Sequence, residues 1–342
     1  MSPGAVPGAA RDQMGERLAR FFADRLPGSA PVVTGIRRLS AGRSRQNWAF
    51  DLTYRSGREV VTESLILRRD PKGGLVETDR QTEFAVLSCL EATKVPAPVA
   101  RWIDVDGTWF GSPSLIMRRE PGDCDYYILN GDRPLPERVA LARAFCDLVG
   151  DVHRVDVESC GLVDVLAVPV DPARDQLDYW ESVLREDQLE AYPEIDLALA
   201  WLRDSLPPPA APVLVHGDFK PGNILVEGPD VSALLDWELA HLGDPAEDLG
   251  WVTQPLRTRE HLIDGHWSQS DLLEHYERHT GTSVAPDSLR WWNVFAALRT
   301  AVMQVSGLRS YLEGRSSEPY RPTSSVLGTL LEGAWQLEGG TG

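Results

Sequence analysis

Between positions 213 and 226 the chain reads VLVHGDFKPGNILV, an apolar run that breaks into His216, Asp218, Lys220 and Asn223 and then resumes. A link between two buried strands is ordinarily short and built from Gly, Asn or Pro. Here, four side chains able to move a proton, hold a cation or meet a phosphate fall within eight positions. Asp218 is the loop's one carboxylate, and a positioned carboxylate can orient a hydroxyl and take its proton. Asn223 offers a neutral oxygen suited to a hard cation such as Mg²⁺. Lys220 could neutralise charge on a phosphoryl group in transfer. Pro221 and Gly222 supply the bend, and His216, at the strand end, reads as a hydrogen-bonding anchor rather than a base.

The turn EGPD leads into VSALLDWELA, where a strand over 231–235 is expected to form a hairpin with 224–226. That pairing would bring Asp236 beside Asn223. Two oxygen ligands with the remaining positions left to phosphates and water is an arrangement Mg²⁺ tolerates when a nucleotide is present. Together, HGDFKPGN, LLDWE and the downstream HLGDPAEDLGW resemble the catalytic loop, metal segment and G-D-P-x-x-D-L segment of the aminoglycoside phosphotransferase-like family, whose fold is similar to that of protein kinases. The Lys220-Pro221 pair echoes the protein-kinase form H-R-D-x-K-P-x-x-N. The resemblance implies Asp218 as catalytic base, Asn223 and Asp236 as Mg²⁺ ligands, and Asp248 as a brace for the loop from a helix start. Within the family, LRRDPKGGL and DWELAHLGDPAEDLGW are most similar to the branch of kinase-like domains fused to acyl-CoA dehydrogenases.

The same resemblance implies a phosphate-binding part in the first third. ESLILRRDP is similar to the strand that carries the family's phosphate-binding cation, making Arg68, or Arg69 in the other register, the replacement for a lysine. DRQTEFAVLSCL resembles the helix whose Glu83 would pair with it. LSAGRSRQNWAFDL resembles the hairpin that covers the phosphates, with Gly42 the remaining glycine and Arg43 and Arg45 as neighbouring cations. A backbone wrapping phosphates favours Gly, so this match is the thinnest of the set. SPSLIMRREPG resembles the interlobe hinge, where backbone groups of Ile116 to Arg118 would hold an adenine edge.

The elements that must position these residues divide the chain. Met14, Leu18, Phe21 and Phe22 mark a helix over 11–25, followed by alternating strands with a turn at Ser56-Gly57 and one helix around Glu83. After Pro121-Gly122 the pattern turns helical over 136–154, 175–204, 269–280, 287–313 and 323–337. The expected fold is α+β, a bilobal protein-kinase-like architecture with a β-rich nucleotide-binding lobe over 1–118 and a mainly helical lobe over 119–342. His153, Trp291 and Phe295 read as packed helix residues.

Bulk properties narrow the function classes. With 34 Lys and Arg against 51 Asp and Glu, the net charge of −17 argues against sequence-independent nucleic-acid binding. No apolar run reaches the roughly 20 residues needed to span a bilayer, and MSPGAVPGAARDQMGERLARFF lacks a basic start followed by an apolar stretch. Cys89, Cys124, Cys146 and Cys160 form no C-x-x-C pair, and four scattered thiols fit a reduced, cytoplasmic protein. The expected activity is ATP-dependent, Mg²⁺-assisted phosphorylation of a hydroxyl on a small molecule, either an aminoglycoside or macrolide antibiotic or a hydroxyacyl-type metabolite. Asp123 and Asp125 would suit a polyamine sugar, whereas Tyr126 and Tyr127 would suit an apolar body. The alternative is a nucleotide-binding pseudokinase with a regulatory role, prompted by the glycine-poor loop and the arginine at 68. Oligomeric state is not legible.

Overall fold

The computed structural model describes residues 8–39, 46–69, 80–316 and 319–335. Two compact units emerge, one comprising Met1–Ser88 with Pro98–Glu120, the other Cys89–Ala97 with Pro121–Gly342.

In the first unit, helix α1 (Gly8–Arg25) precedes strands β1 (Val32–Leu39), β2 (Gln46–Ser56) and β3 (Glu59–Arg69). Helix α2 (Arg80–Leu90), β4 (Ala100–Asp104) and β5 (Ser114–Arg118) follow. The strands make one antiparallel sheet in the order β1-β2-β3-β5-β4. Residues β2 and β3 pair without a break from Gln46↔Arg69 to Ser56↔Glu59, so alternate side chains point to one face along the whole hairpin. That face carries Trp48, Phe50, Leu52, Leu65 and Leu67, and the buried stripe of α1, with Met14, Leu18, Phe21 and Phe22, packs in the same cluster. The stripe follows the i, i+4, i+7, i+8 spacing that places residues on one side of a helix.

The second unit is mainly helical. Its helices are α3 (Leu135–His153), α4 (Pro172–Asp187), α5 (Pro193–Asp204), α6 (Pro245–Thr253), α7 (Thr258–His261), α8 (Gln269–Thr280), α9 (Pro286–Leu312) and α10 (Ser324–Trp335). Short strands β6 (Val213–Val215) and β9 (His241–Gly243) pair with each other, as do β7 (Ile224–Glu227) and β8 (Asp230–Leu234). Helix α9 is apolar on nearly every side and runs through the core formed with α4, α5 and α10. Trp291 stacks flat on Phe295 at 5.5 Å and donates its indole N–H to Leu202 O at 2.9 Å, so both residues are core, as their spacing implies.

Two expectations are corrected here. The helical pattern over 175–204 is two helices: the chain leaves α4 at Gln188, whose backbone is extended, and restarts at Pro193, where the missing N–H costs nothing. The four cysteines are not all reduced. Cys89 and Cys160 form a disulfide with Cα atoms 5.4 Å apart, leaving Cys124 and Cys146 as thiols. Sequence spacing could not reveal this pair, because a separation of 71 residues carries no local signal. Among the described residues no helix is long and apolar enough to cross a membrane.

Candidate active site

The quoted segment is the link between β6 and β7. Val215 and His216 are fully buried, and the chain then turns at Gly217, whose φ is +79°. A β-carbon there would also sit 2.7 Å from Leu239 O, so backbone freedom and space both require glycine. The turn aims Asp218 outward while Phe219 goes back into the core. Residues Pro221–Asn223 make one 3₁₀ turn, closed by Asn223 N–H donating to Lys220 O at 2.8 Å. That turn brings Asn223 back over Asp218: its Nδ2 donates to Asp218 O at 2.9 Å and to Asp218 Oδ2 at 3.1 Å. Lys220 Nζ also donates to Asp218 Oδ2. Both donors thus occupy one carboxylate oxygen, and Oδ1 is the oxygen they do not touch. Burial opposes charge on Lys220, but the Asp218 carboxylate and its hydrogen bond outweigh it and raise the ammonium's pKa.

Asp236 arrives through the β7–β8 hairpin. Its pairing runs from Glu227↔Asp230 to Ile224↔Leu234, and Leu235 N–H donates to Asn223 O at 2.7 Å. The chain then places Asp236 at φ 73°, ψ 51°, a left-handed conformation that a residue with a β-carbon adopts at a cost. Strain of this kind persists where the surroundings over-determine it, which is common at functional sites. The donor set offered by this corner fits a hard cation. Donation by Nδ2 to Asp218 leaves the amide oxygen of Asn223 as its available ligand atom, and Asp236 adds a carboxylate.

A second layer holds the loop. His216 Nε2 lies 2.9 Å from Leu235 O and its Nδ1 accepts from Asp218 N–H at 3.2 Å, so one ring ties the Asp218 segment to the Asp236 segment. Asp248, in the first turn of α6, accepts from His216 N–H at 2.8 Å and Gly217 N–H at 2.9 Å. His153 contacts the same carboxylate at 3.3 Å and Tyr276 at 2.8 Å. Burial disfavours a charged Asp248. The hydrogen bond and charge of His153, with His216 behind them, overcome this and hold the carboxyl at about 2. The brace read from the sequence is therefore present, and His153 is a packed helix residue. Neighbouring Glu247 is buried between Arg299 at 3.1 Å and His241 at 3.0 Å, while Trp251 lies 4.0 Å from the guanidinium groups of both Arg257 and Arg299. Arg299 was legible only as a charge interrupting the apolar run AALRTAV.

The acid- and tyrosine-bearing segment after 120 packs on the loop. Asp123 and Val226 exchange backbone hydrogen bonds at 3.2 and 3.0 Å. Tyr126 lies over Gly222, where a β-carbon would come within 2.5 Å of the ring, and 6.0 Å from Lys220 Nζ. Asp125 Oδ1 is used by Tyr127 N–H at 2.9 Å, and Tyr127 faces Arg259 at 5.3 Å.

In the first unit, Arg68 is the inward residue of the pair 68/69. Its Nη1 donates to Glu83 Oε1 at 2.9 Å, both side chains being nearly fully buried. Arg69 instead donates to Ser112 Oγ at 2.9 Å, and burial together with the charges of Arg17 and Arg38 lowers its pKa. The second oxygen of Glu83 is held by Arg80, a residue the sequence reading passed over although it stands three positions away on the same helix. Ile116 and Arg118 both lie within β5. β5 is flanked by β3 and β4, with Ile116 opposite both Leu67 and Trp102, and Arg118 N–H donates to Val99 O at 2.8 Å. The sheet thus flanks Ile116 on both sides and takes up the Arg118 N–H. Gly42, Arg43 and Arg45 lie outside the described residues.

Comparison with known proteins adds a second line. A model of the phosphotransferase enzyme family matches residues 35–292. Mouse acyl-CoA dehydrogenase family member 10 is 26% identical over 299 residues, 81% of this chain and 27% of that protein. Rat acyl-CoA dehydrogenase family member 11 is 28% identical over 317 residues, 83% of this chain and 39% of that protein. The chain therefore spans well under half the length of these curated relatives. Among solved structures, a thermostable mutant of the aminoglycoside phosphotransferase APH(4)-Ia, in a ternary complex with AMP-PNP and hygromycin B, aligns with a TM-score of 0.60 at 16% identity, covering 95% of this chain and 99% of that one. Macrolide 2'-phosphotransferase MphH from Brachybacterium faecium aligns at 0.56 and 20% identity, covering 93% and 98%. A Ralstonia eutropha JMP134 protein provisionally named an aminoglycoside phosphotransferase aligns at 0.71 and 21%, covering 93% and 95%. At such identities the likeness is one of fold, and it places the α+β architecture among kinase-like phosphotransferases.

Proposed function

The chain belongs to the phosphotransferase enzyme family, and from that premise we propose that it transfers the γ-phosphoryl group of ATP to a hydroxyl of a small molecule. The observation that carries this reading is the convergence of Asp218, Lys220 and Asn223 on one loop, with Asp236 delivered alongside by the hairpin. Asp218 would orient the acceptor hydroxyl through Oδ1 and take its proton late in transfer. Lys220, already drawn to Asp218, would neutralise charge on the moving group. Asn223 and Asp236 would hold Mg²⁺, which when bound offsets phosphate charge. In the other unit, Arg68, steadied by Glu83, would meet the α- and β-phosphates, a task Lys performs in most kinases but which an arginine fork serves through two donors.

The acceptor reading follows from what packs on the loop. Asp125 is turned to a backbone amide, whereas the Tyr126 ring lies over Gly222. An acceptor with an apolar body, such as a hydroxyacyl compound or a macrolide, suits an aromatic floor better than a polyamine sugar does. The solved neighbours' names include both macrolide and aminoglycoside phosphotransferases, so the choice between them rests on the aromatic floor. Of the two features that prompt the pseudokinase alternative, the arginine at 68 makes the pair with Glu83 that a lysine would make, and the glycine-poor loop lies outside the described residues.

The test is turnover of ATP with Mg²⁺ against pools of hydroxyacyl compounds, macrolides and aminoglycosides, with mass spectrometry for a phosphorylated product. A product from the first two pools that disappears in Asp218→Asn supports the reading. Product from the aminoglycosides alone overturns the acceptor class, and tight nucleotide binding with no product from any pool favours the pseudokinase.

A further inference from the structure

We propose that Arg80 is a positioning residue for nucleotide phosphates, acting through Glu83 on Arg68. The inference rests on the reading that Arg68 meets phosphate. Arg80 opens α2 and Glu83 stands three residues on, so both project from the same side of its first turn. The two oxygens of Glu83 are divided: Oε1 accepts from Arg68, on the neighbouring strand β3, and Oε2 accepts from Arg80. Side-chain exposures of 9% for Arg68, 1% for Arg80 and 2% for Glu83 place the shared carboxylate out of water.

Division of the carboxylate has a geometric consequence. An arginine alone with a carboxylate prefers a fork, two parallel N–H···O bonds that fill both oxygens and set the guanidinium edge-on and coplanar with its partner. Arg80 occupies one oxygen, so Glu83 meets Arg68 through the other alone. The way Glu83 holds Arg68 thus depends on a residue that has no need to touch the nucleotide. Loss of Arg80 frees Oε2, and Glu83 is then able to close its fork on Arg68 and draw it towards α2.

The experiment measures binding of two probes with Mg²⁺ present, a non-hydrolysable ATP analogue and adenosine, to the wild-type protein, Arg80→Met and Arg80→Lys. The expected result is an analogue affinity weakened at least tenfold in Arg80→Met and less in Arg80→Lys, with adenosine affinity unchanged within twofold. A purely structural role would weaken both probes together, and that result overturns the proposal. Equal analogue affinity in all three proteins overturns it as well. Should Arg80→Met fail to fold, Arg80→Lys decides: at least threefold weakening for the analogue but not adenosine supports the proposal, and no change rejects it. Failure of the wild-type protein to bind the analogue removes the phosphate-binding reading and this inference together, whereas wild-type binding that the variants match removes the inference alone.

Discussion

Asp236 is the residue where backbone and chemistry meet most tightly. Its left-handed conformation favours glycine, yet a carboxylate stands there. Asp236→Gly and Asp236→Ala remove the same side-chain contacts and differ in the backbone alone. The glycine variant should be the more stable of the two by about 1 kcal/mol, and neither should turn over ATP. Equal denaturation midpoints would mean that the conformation carries no strain. Lys220 makes a different prediction. Removal of one electrostatic contact at a transferring group typically costs about 10²–10³-fold in kcat. Lys220→Ala should show that loss in steady-state kinetics while the protein melts within a few degrees of wild type. That Asp218, Asn223 and Asp236 share one corner was legible in the sequence, through the resemblance of HGDFKPGN and LLDWE to the family's loop and metal segment and through the hairpin expected between them. Arg80 was not legible, since an arginine at a helix start is ordinarily a solvated one and only the fold buries it.

At the scale of elements, the β6–β7 loop is held by helices as well as by its own turn. Asp248 on α6 and His153 on α3 were readable as a brace and a packed residue, because the G-D-P-x-x-D-L spacing sets one of them at a helix start. His261 on α7 was not. It is buried against Phe219, with rings at 6.4 Å, and burial, with the charge of Arg257 added, pushes its pKa down to about 3. An unfolded histidine takes up a proton near pH 6.5 that folded His261 refuses, so its contribution to stability is full above that pH and shrinks as pH falls towards 3. The loss should be about 1.4 kcal/mol per pH unit below 6.5. Urea unfolding at pH 7 and 5.5 should show it, and His261→Gln should flatten the difference. The paired Ile116 and Arg118 teach the complementary lesson. A local motif locates a strand, but only the sheet order, with β5 between β3 and β4, tells which backbone groups are already spent.

At the scale of the whole molecule, the α+β class and the character of each half were legible from the change in period after Pro121-Gly122. A switch from alternation to a 3.6-residue repeat is a bulk property of many residues. Long-range closure was not legible. The assignment of Cys89–Ala97 to the second unit is seen in Leu234 N–H donating to Pro96 O at 2.7 Å and in the Cys89–Cys160 disulfide. Closing a loop with a separation of 71 residues restricts the unfolded chain, and loop entropy puts the gain at about 4 kcal/mol. Reduction by dithiothreitol and the Cys160→Ser substitution should lower the melting temperature by the same amount, with no further loss when the two are combined. Identical melting of reduced and oxidised protein would show that the pair does not cross-link in solution.

The proposed nucleotide-dependent transfer stands or falls on Asp218 as the proton acceptor. The direct measurement is Mg²⁺-dependent consumption of ATP with a productive acceptor, set beside the dissociation constant of a non-hydrolysable ATP analogue, for wild type and Asp218→Asn. If Asp218 takes the proton, Asp218→Asn should bind the analogue within about twofold of wild type and turn over more slowly by roughly 10²–10⁴, the range for a lost general base. Turnover within threefold of wild type in Asp218→Asn would contradict it.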